Sequence, residues 1–212
     1  TEYNLNDMAK DGIDVLDHLG IDNAHILGTS MGGMISQIIC AKYPDRVRSF
    51  TLIASTASVP GPLNGPSKEV RTMMLERSLL ENPTMEEVYQ REIKWVGLIG
   101  MENKKVDTPE FREETINNYI RTEGVKDGFG YARQLFAILS SKNRLRKIRS
   151  IKAKTLIVHG KKDPVINVKN SYLMNNLIPN SELIVIDNMR HLIEEEILDQ
   201  FKNKLLEHLT QS

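Results

Sequence analysis

"HILGTSMGG", residues 25–33, decides how this chain is read. A short apolar run leads into three glycines gathered around Ser30, and an apolar-faced segment follows directly. Gly28-Thr29-Ser30-Met31-Gly32 satisfies G-x-S-x-G, a pattern that sets a serine on a sharp turn between a strand and a helix. The reason for the pattern is steric. A serine on such a turn has a strained backbone, and glycine at 28 and 32 is expected to remove side chains that would strike the neighbouring strand and helix. The turn lifts the hydroxyl clear of the sheet and points the N–H of Met31, at the helix start, toward an oxyanion formed on an attacked carbonyl. The competing reading is a glycine-rich turn that binds phosphate or nothing.

Working outward, residues 24–28 read as a buried strand and 31–43 as a helix stopped at Pro44. Upstream, residues 6–19 place Met8, Ala9, Ile13, Leu16 and Leu19 at helical spacing, with Asn6 or Asp7 as N-cap and Gly20 to end the helix. Downstream, "VRSFTLIAS" (47–55), "KTLIVHG" (154–160) and "SELIVID" (181–187) are nearly continuous apolar runs. Such runs suit parallel strands covered on both faces. A helix is expected at about 168–177, and the closing "EEILDQFKNKLLEHL" carries an apolar stripe of Ile197, Leu198, Phe201, Leu205 and Leu209. Strands alternating with helices predict an α/β fold with a mostly parallel sheet. The stretch 60–147 breaks that rhythm: it opens with "PGPLNGP", then turns helical and charge-rich, and reads as an inserted helical lobe between core segments 1–59 and 148–212.

Composition narrows the function classes. With 212 residues, 40% hydrophobic and 26% charged, the chain has globular usage, and 28 basic against 28 acidic residues leave no cationic excess for nucleic acid. No apolar run is long enough to span a bilayer, so neither nucleic acid nor membrane is an expected partner. One cysteine, Cys40, rules out an intrachain disulfide framework and suits a reducing compartment; a cytoplasmic location is expected, with secretion left open. No cluster has metal-ligand spacing and G-x-G-x-x-G is absent, so no metal and no cofactor is expected.

A serine hydroxyl is a weak nucleophile at neutral pH and needs a general base, which in turn needs an anionic orienter. Asp163 follows the strand at 154–160 by a few residues, and His191 follows the strand at 181–187 in the same way. Serine, acid and histidine thus fall in order on loops at one edge of the sheet, where open α/β sheets form their sites. His18, His25, His159 and His208 fall in helices or strands and read as packing or surface residues. Asp187 is a rival acid, too close in sequence to reach the His191 ring comfortably.

With these motifs in place, the chain resembles the α/β-hydrolase superfamily over nearly its whole length, the elbow segment at 25–55 and the acid and histidine segments at 154–196 carrying the likeness. Within it, the chain is most similar to small esterases and lactonases of the aclacinomycin methylesterase and 3-oxoadipate enol-lactonase kind. The resemblance implies Ser30 as nucleophile, His191 as base, Asp163 as orienter and Met31 as one oxyanion donor. It also implies that the four strands correspond to strands five to eight of the fold, with the lobe as the helical cap. Trp95, Leu98, Met101 and Phe136 are the cap residues expected to line the substrate site.

The expected function is hydrolysis of a small carboxylic ester or lactone through an acyl-serine intermediate. Thioesterase, peptidase and perhydrolase chemistry stay open on the same three residues. Two departures bear on this. Arg190 stands where the family usually has glycine before the histidine, and the family's earlier strands, with the loop that supplies the second oxyanion N–H, are not in this sequence. Losing one such donor costs about 10²- to 10³-fold in rate, so impaired activity is expected of this polypeptide alone. The alternative is a catalytically silent fragment that serves as a binding or assembly module. Its surface would be the sheet edge at 24–28, through which a homodimer or a companion chain would pair.

Overall fold

The four apolar runs become four strands in the computed structural model, which describes residues 3–58, 65–79, 81–122 and 129–210. β1 (Ala24–Thr29), β2 (Val47–Ile53), β3 (Lys154–Gly160) and β4 (Ser181–Ile186) are all parallel and lie in that spatial order. Each crossover carries helix, as parallel pairing requires. α1 (Leu5–His18) precedes β1, α2 (Ser30–Lys42) joins β1 to β2, α7 (Lys169–Leu177) joins β3 to β4, and α8 (Glu195–Leu198) and α9 (Lys202–Thr210) close the chain. The connection from β2 to β3 holds α3 (Lys68–Ser78), α4 (Met85–Ile99), α5 (Pro109–Arg121) and α6 (Phe129–Leu139). Most of the "PGPLNGP" opening of that stretch lies outside the described residues.

The alternation of side chains along β2 and β3 divides the core. Phe50, Leu52 and Ile157 pack with Cys40 of α2 and Met174 of α7 on one face. Ile53, Leu156 and Val158 pack with Ile197 of α8 and with Phe201 on the other. Full burial of each such side chain contributes roughly 1.5–3 kcal/mol, which is why these strands read as unbroken apolar runs. Cys40 belongs to this interior, and burial pushes its thiol pKa up, so it is an unreactive packing residue. At the base of the lobe, Arg144 is buried and donates from Nε to Gln37 of α2 at 3.1 Å and from Nη2 to the Thr56 carbonyl at 2.9 Å. Burial lowers its pKa to about 10, leaving it charged at neutral pH.

Most boundaries fall within a residue of the sequence reading, and three features differ from it for a visible local reason. Asn4, not Asn6 or Asp7, caps α1: its side chain accepts from the Asn6 N–H at 2.8 Å while Asp7 accepts from the Asn4 N–H at 2.9 Å, a reciprocal capping box. β2 stops at Ile53 because Ala54 turns to φ +47°. The closing stripe is split into α8 and α9, which lets Ile197, Phe201 and Leu205 all reach one core cluster. Among the described residues no helix is long and apolar enough to cross a membrane.

Candidate active site

Register brings the site together. Thr29 pairs with Ile53, and Ile53 with Val158, which pairs with Ile184. The residues that follow β1, β3 and β4 therefore emerge along the same carboxyl edge.

The elbow at the end of β1 is strained and closely packed. Ser30 has φ +49°, a left-handed conformation that a non-glycine residue adopts only where its surroundings hold it. Part of that hold is the Ser55 hydroxyl, which donates to the Ser30 carbonyl at 2.7 Å. A Cβ on Gly28 would sit 2.5 Å from the carbonyl oxygen of Gly32, and one on Gly33 would sit 2.6 Å from Leu52 Cδ1 and 2.7 Å from Ser55 Cβ. Gly32 corrects the sequence reading: a Cβ there would meet nothing within 4 Å. The close approach to β2 falls on Gly33, which faces the sheet, rather than on the motif's second glycine. The N-cap, Thr29, makes no side-chain cap bond. The Met31 N–H has no acceptor outside α2 among the described residues and stands one residue into the helix, where backbone donors are unsatisfied.

Downstream of β3 and β4 the acid and the histidine converge on this serine. His191 Nε2 lies 3.0 Å from Ser30 Oγ, and His191 Nδ1 lies 2.7 Å from Asp163 Oδ2. The carboxylate is held on every side. Its Oδ1 accepts from the N–H groups of Val165 at 2.8 Å and Ile166 at 2.9 Å. Burial pushes the Asp163 pKa up, but the hydrogen bonds from His159 and His191, the attraction of His191 and the Ile166 N–H outweigh it, holding the carboxyl below its usual range.

His159, read from sequence as a packing residue, is fully buried and also touches this group: its Nε2 lies 2.8 Å from the Ile166 carbonyl and 3.3 Å from Asp163 Oδ2. Two acceptors at Nε2 require the proton there, so Nδ1 accepts from the Ser171 hydroxyl at 2.6 Å. The rival Asp187 pairs instead with Lys161 at 2.8 Å in solvent.

A lowered carboxylate pKa has a stability consequence. The folded value lies below the unfolded one of about 3.9, so this contribution is fully present above that pH and is lost as pH falls through the folded value. In urea unfolding, the stability gap between the protein and Asp163→Asn is expected to be widest near neutral pH and to narrow below about pH 4. A gap of constant size from neutral pH to pH 3 would contradict the assignment.

Arg190, which replaces the family's glycine, ties the histidine loop to the lobe. Its Nη1 donates to the carbonyls of Gly97 at 3.2 Å and Leu98 at 3.0 Å, at the carboxyl end of α4, and its Nη2 meets Glu102 at 3.1 Å. Glu102 also pairs with Lys162 at 2.6 Å, beside the acid. The His191 N–H donates to the Ile99 carbonyl at 2.9 Å. Beneath the loop, a Cβ on Gly160 would overlap the carbonyls of Met189 and Arg190, so glycine permits this close seating on β3.

A cavity of about 460 Å³ opens beside Ser30, walled by apolar side chains that include Met34, Met74, Leu135, Ile138, Val165 and Ile166. None of Trp95, Leu98, Met101 and Phe136 is among its described lining residues. Trp95 packs near Met73, Met74 and Tyr131 around a small void. Leu98 lies on a groove with Lys68, Glu76 and Lys94. Met101 joins the core cluster around Ile53, and Phe136 is half exposed. On α6 it is Leu135, Ile138 and Leu139 that line the cavity beside Ser30.

The comparisons with known proteins agree with this fold. A family model of the alpha/beta hydrolase fold matches residues 1–196, and the chain belongs to that family. It is 27% identical to Lipase 1 of Psychrobacter immobilis over 184 residues, 84% of this chain and 53% of the lipase. It is 26% identical to 2-hydroxymuconate semialdehyde hydrolase of Pseudomonas putida, over 94% of this chain and 67% of that enzyme. In three dimensions it resembles a meta-cleavage product hydrolase from Pseudomonas fluorescens IP01, with a TM-score of 0.77 at 20% identity over 100% of this chain and 73% of the other. The chain thus spans about half to two thirds of the length of the curated relatives it matches.

Proposed function

We propose that this chain carries the catalytic residues of a serine hydrolase acting on small carboxylic esters or lactones. The observation that carries the reading is the continuous chain from Ser30 Oγ to His191 to the buried Asp163, at 3.0 and 2.7 Å, opening on an apolar cavity. Ser30 Oγ attacks the carbonyl carbon as its proton passes to His191 Nε2. Asp163 fixes the imidazole tautomer and steadies the imidazolium, and the Met31 N–H faces the oxyanion. The leaving alkoxide takes the proton from His191, and a water activated by the same imidazole then hydrolyses the acyl-serine. No cofactor enters these steps. The curated relatives named above, a lipase and a hydrolase, support the reaction class. Assay of short-chain p-nitrophenyl esters and of lactones with the intact protein tests it: turnover that saturates with substrate is expected, and its absence across both panels would reject the reading.

A second reading attaches to β1, which among the described residues pairs with β2 alone and so lies at the edge of the described sheet. Leu27 on β1 is 49% exposed, with Val15 and Leu19 of the adjoining segment exposed at 56% and 61%. We propose that this edge pairs with a second copy or a companion chain. Light scattering is expected to show an assembly that Leu27→Lys weakens. An assembly unchanged by Ser30→Ala, in a protein without ester turnover, would favour a silent assembly module over the enzyme.

A further inference from the structure

The carboxyl end of α4 is completed by the histidine loop. The last helical bond of α4 runs from the Gly100 N–H to the Val96 carbonyl at 2.7 Å, which leaves the carbonyls of Gly97, Leu98 and Ile99 without helical donors. Consecutive residues of the histidine loop supply what is missing. Arg190 Nη1 donates to Gly97 and Leu98, and the N–H groups of His191 and Leu192 donate to Ile99 at 2.9 and 3.2 Å. Just past the helix the exchange runs through a carboxylate of the same loop: the Met101 N–H donates to Glu194 Oε1 at 3.0 Å and Oε2 at 3.2 Å. A guanidinium at the negative end of a helix adds charge attraction to its hydrogen bonds.

The acid loop joins this junction through Glu102, which pairs with Lys162, the residue before Asp163, and with Arg190, the residue before His191. Ion pairs as open to solvent as Glu102–Lys162 contribute little by themselves, so the weight falls on Arg190. Its side chain is only 23% exposed, and its fork spans two main-chain carbonyls and a carboxylate. The His191 ring is oriented by Asp163 at Nδ1, but its backbone N–H is spent on the lobe.

We propose that Arg190 is a positioning residue for His191: by capping α4 it makes the end of that lobe helix the seat from which the imidazole reaches Ser30. The inference deepens the serine-hydrolase reading and rests on it. The lobe then sets the rate of the chemical step as well as walling the cavity.

Arg190→Met in the intact protein removes the donors and keeps the aliphatic stem. With a small ester, kcat is expected to fall about tenfold or more, as for a reacting group displaced by a fraction of an ångström, with KM within about twofold. Arg190→Lys, which keeps a cationic donor for the carbonyls, is expected to fall between the two and serves if the methionine variant does not fold. Gly100→Ala attacks the junction from the lobe side, since its Cβ would sit 2.7 Å from the Val96 carbonyl and 3.0 Å from Glu194 Oε1; it is expected to show the same loss in kcat with Arg190 still in place. Asp187→Asn is the control, because the Lys161–Asp187 pair ties the acid loop to the end of β4 in solvent without touching α4; kcat is expected to be unchanged. A readout independent of turnover is the ring-nitrogen spectrum of protein carrying isotopically labelled histidine, with His191 assigned through His191→Gln. A single Nδ1–H tautomer is expected in the unmutated protein and a mixture in Arg190→Met. An unchanged kcat, a loss confined to KM, an equal loss in Asp187→Asn, or a tautomer that stays single in Arg190→Met would overturn the proposal. Failure of the hydrolase reading has a separate signature: no ester is turned over by the unmutated protein, while the tautomer comparison still reports on Arg190.

Discussion

Ser30→Ala is expected to lower ester turnover by about 10⁶-fold while leaving the fold intact, and His191→Ala to do nearly the same. The two effects should not add, because nucleophile and base act as one unit; the double variant is expected to match either single one. The fold survives because the Ser30 side chain has only His191 Nε2 as its hydrogen-bond partner among the described residues, whereas the strained backbone is held through its carbonyl by Ser55. Steady-state kinetics with a p-nitrophenyl ester, alongside a thermal melt, check both parts. Activity within tenfold of the unmutated protein would place the chemistry elsewhere.

Gly28→Ala is expected to cost roughly 1–3 kcal/mol of stability and about 10²-fold or more in rate, since a displacement near 1 Å at a reacting group is enough for that loss. The clash is with backbone: the new Cβ would meet the Gly32 carbonyl at 2.5 Å, and a helix start cannot swing aside as the end of a side chain can. The elbow would have to open, taking Ser30 Oγ away from His191. Gly32→Ala is the control within the same motif. A methyl there meets nothing within 4 Å, so it is expected to hold activity and to match or slightly raise stability, as alanine does for glycine in a helix. Urea unfolding and initial rates on the two variants check the contrast. Equal effects from both would mean that the motif's glycines do not act by the contacts described.

Much of the fold was legible because its determinants are local. A buried parallel strand must be apolar on both faces, and "KTLIVHG" has the same bounds, 154–160, in sequence and structure. Ser30, Asp163 and His191 could be placed because each follows such a strand, and parallel register carries all three to one edge. Properties that depend on packing between distant segments were not legible. G-x-S-x-G does not say whether Gly32 or Gly33 faces β2; that depends on the rotation of α2 against Leu52 and Ser55. Whether Phe136 or its neighbours Leu135 and Ile138 face the cavity depends on how α6 seats on the core, which no period within the helix records. Arg190 reads in the sequence as a departure from the glycine usual before the histidine. Two of its partners are main-chain carbonyls at the end of α4, invisible to any residue pattern, and the third is the Glu102 carboxylate. His159 carried a signal that could have been used: a histidine four residues before the acid, at the end of a buried strand, is within reach of that carboxylate.

The chain of contacts from Asp163 through His191 to Ser30 has meaning only if the serine is a nucleophile. The most direct measurement is the intact mass of the protein after exposure to a fluorophosphonate, with Ser30→Ala beside it. The account predicts a single phosphonyl adduct on the unmutated protein, located at Ser30 by fragmentation, and none on the variant. An unmodified mass for both, or an adduct that persists without Ser30, would contradict it.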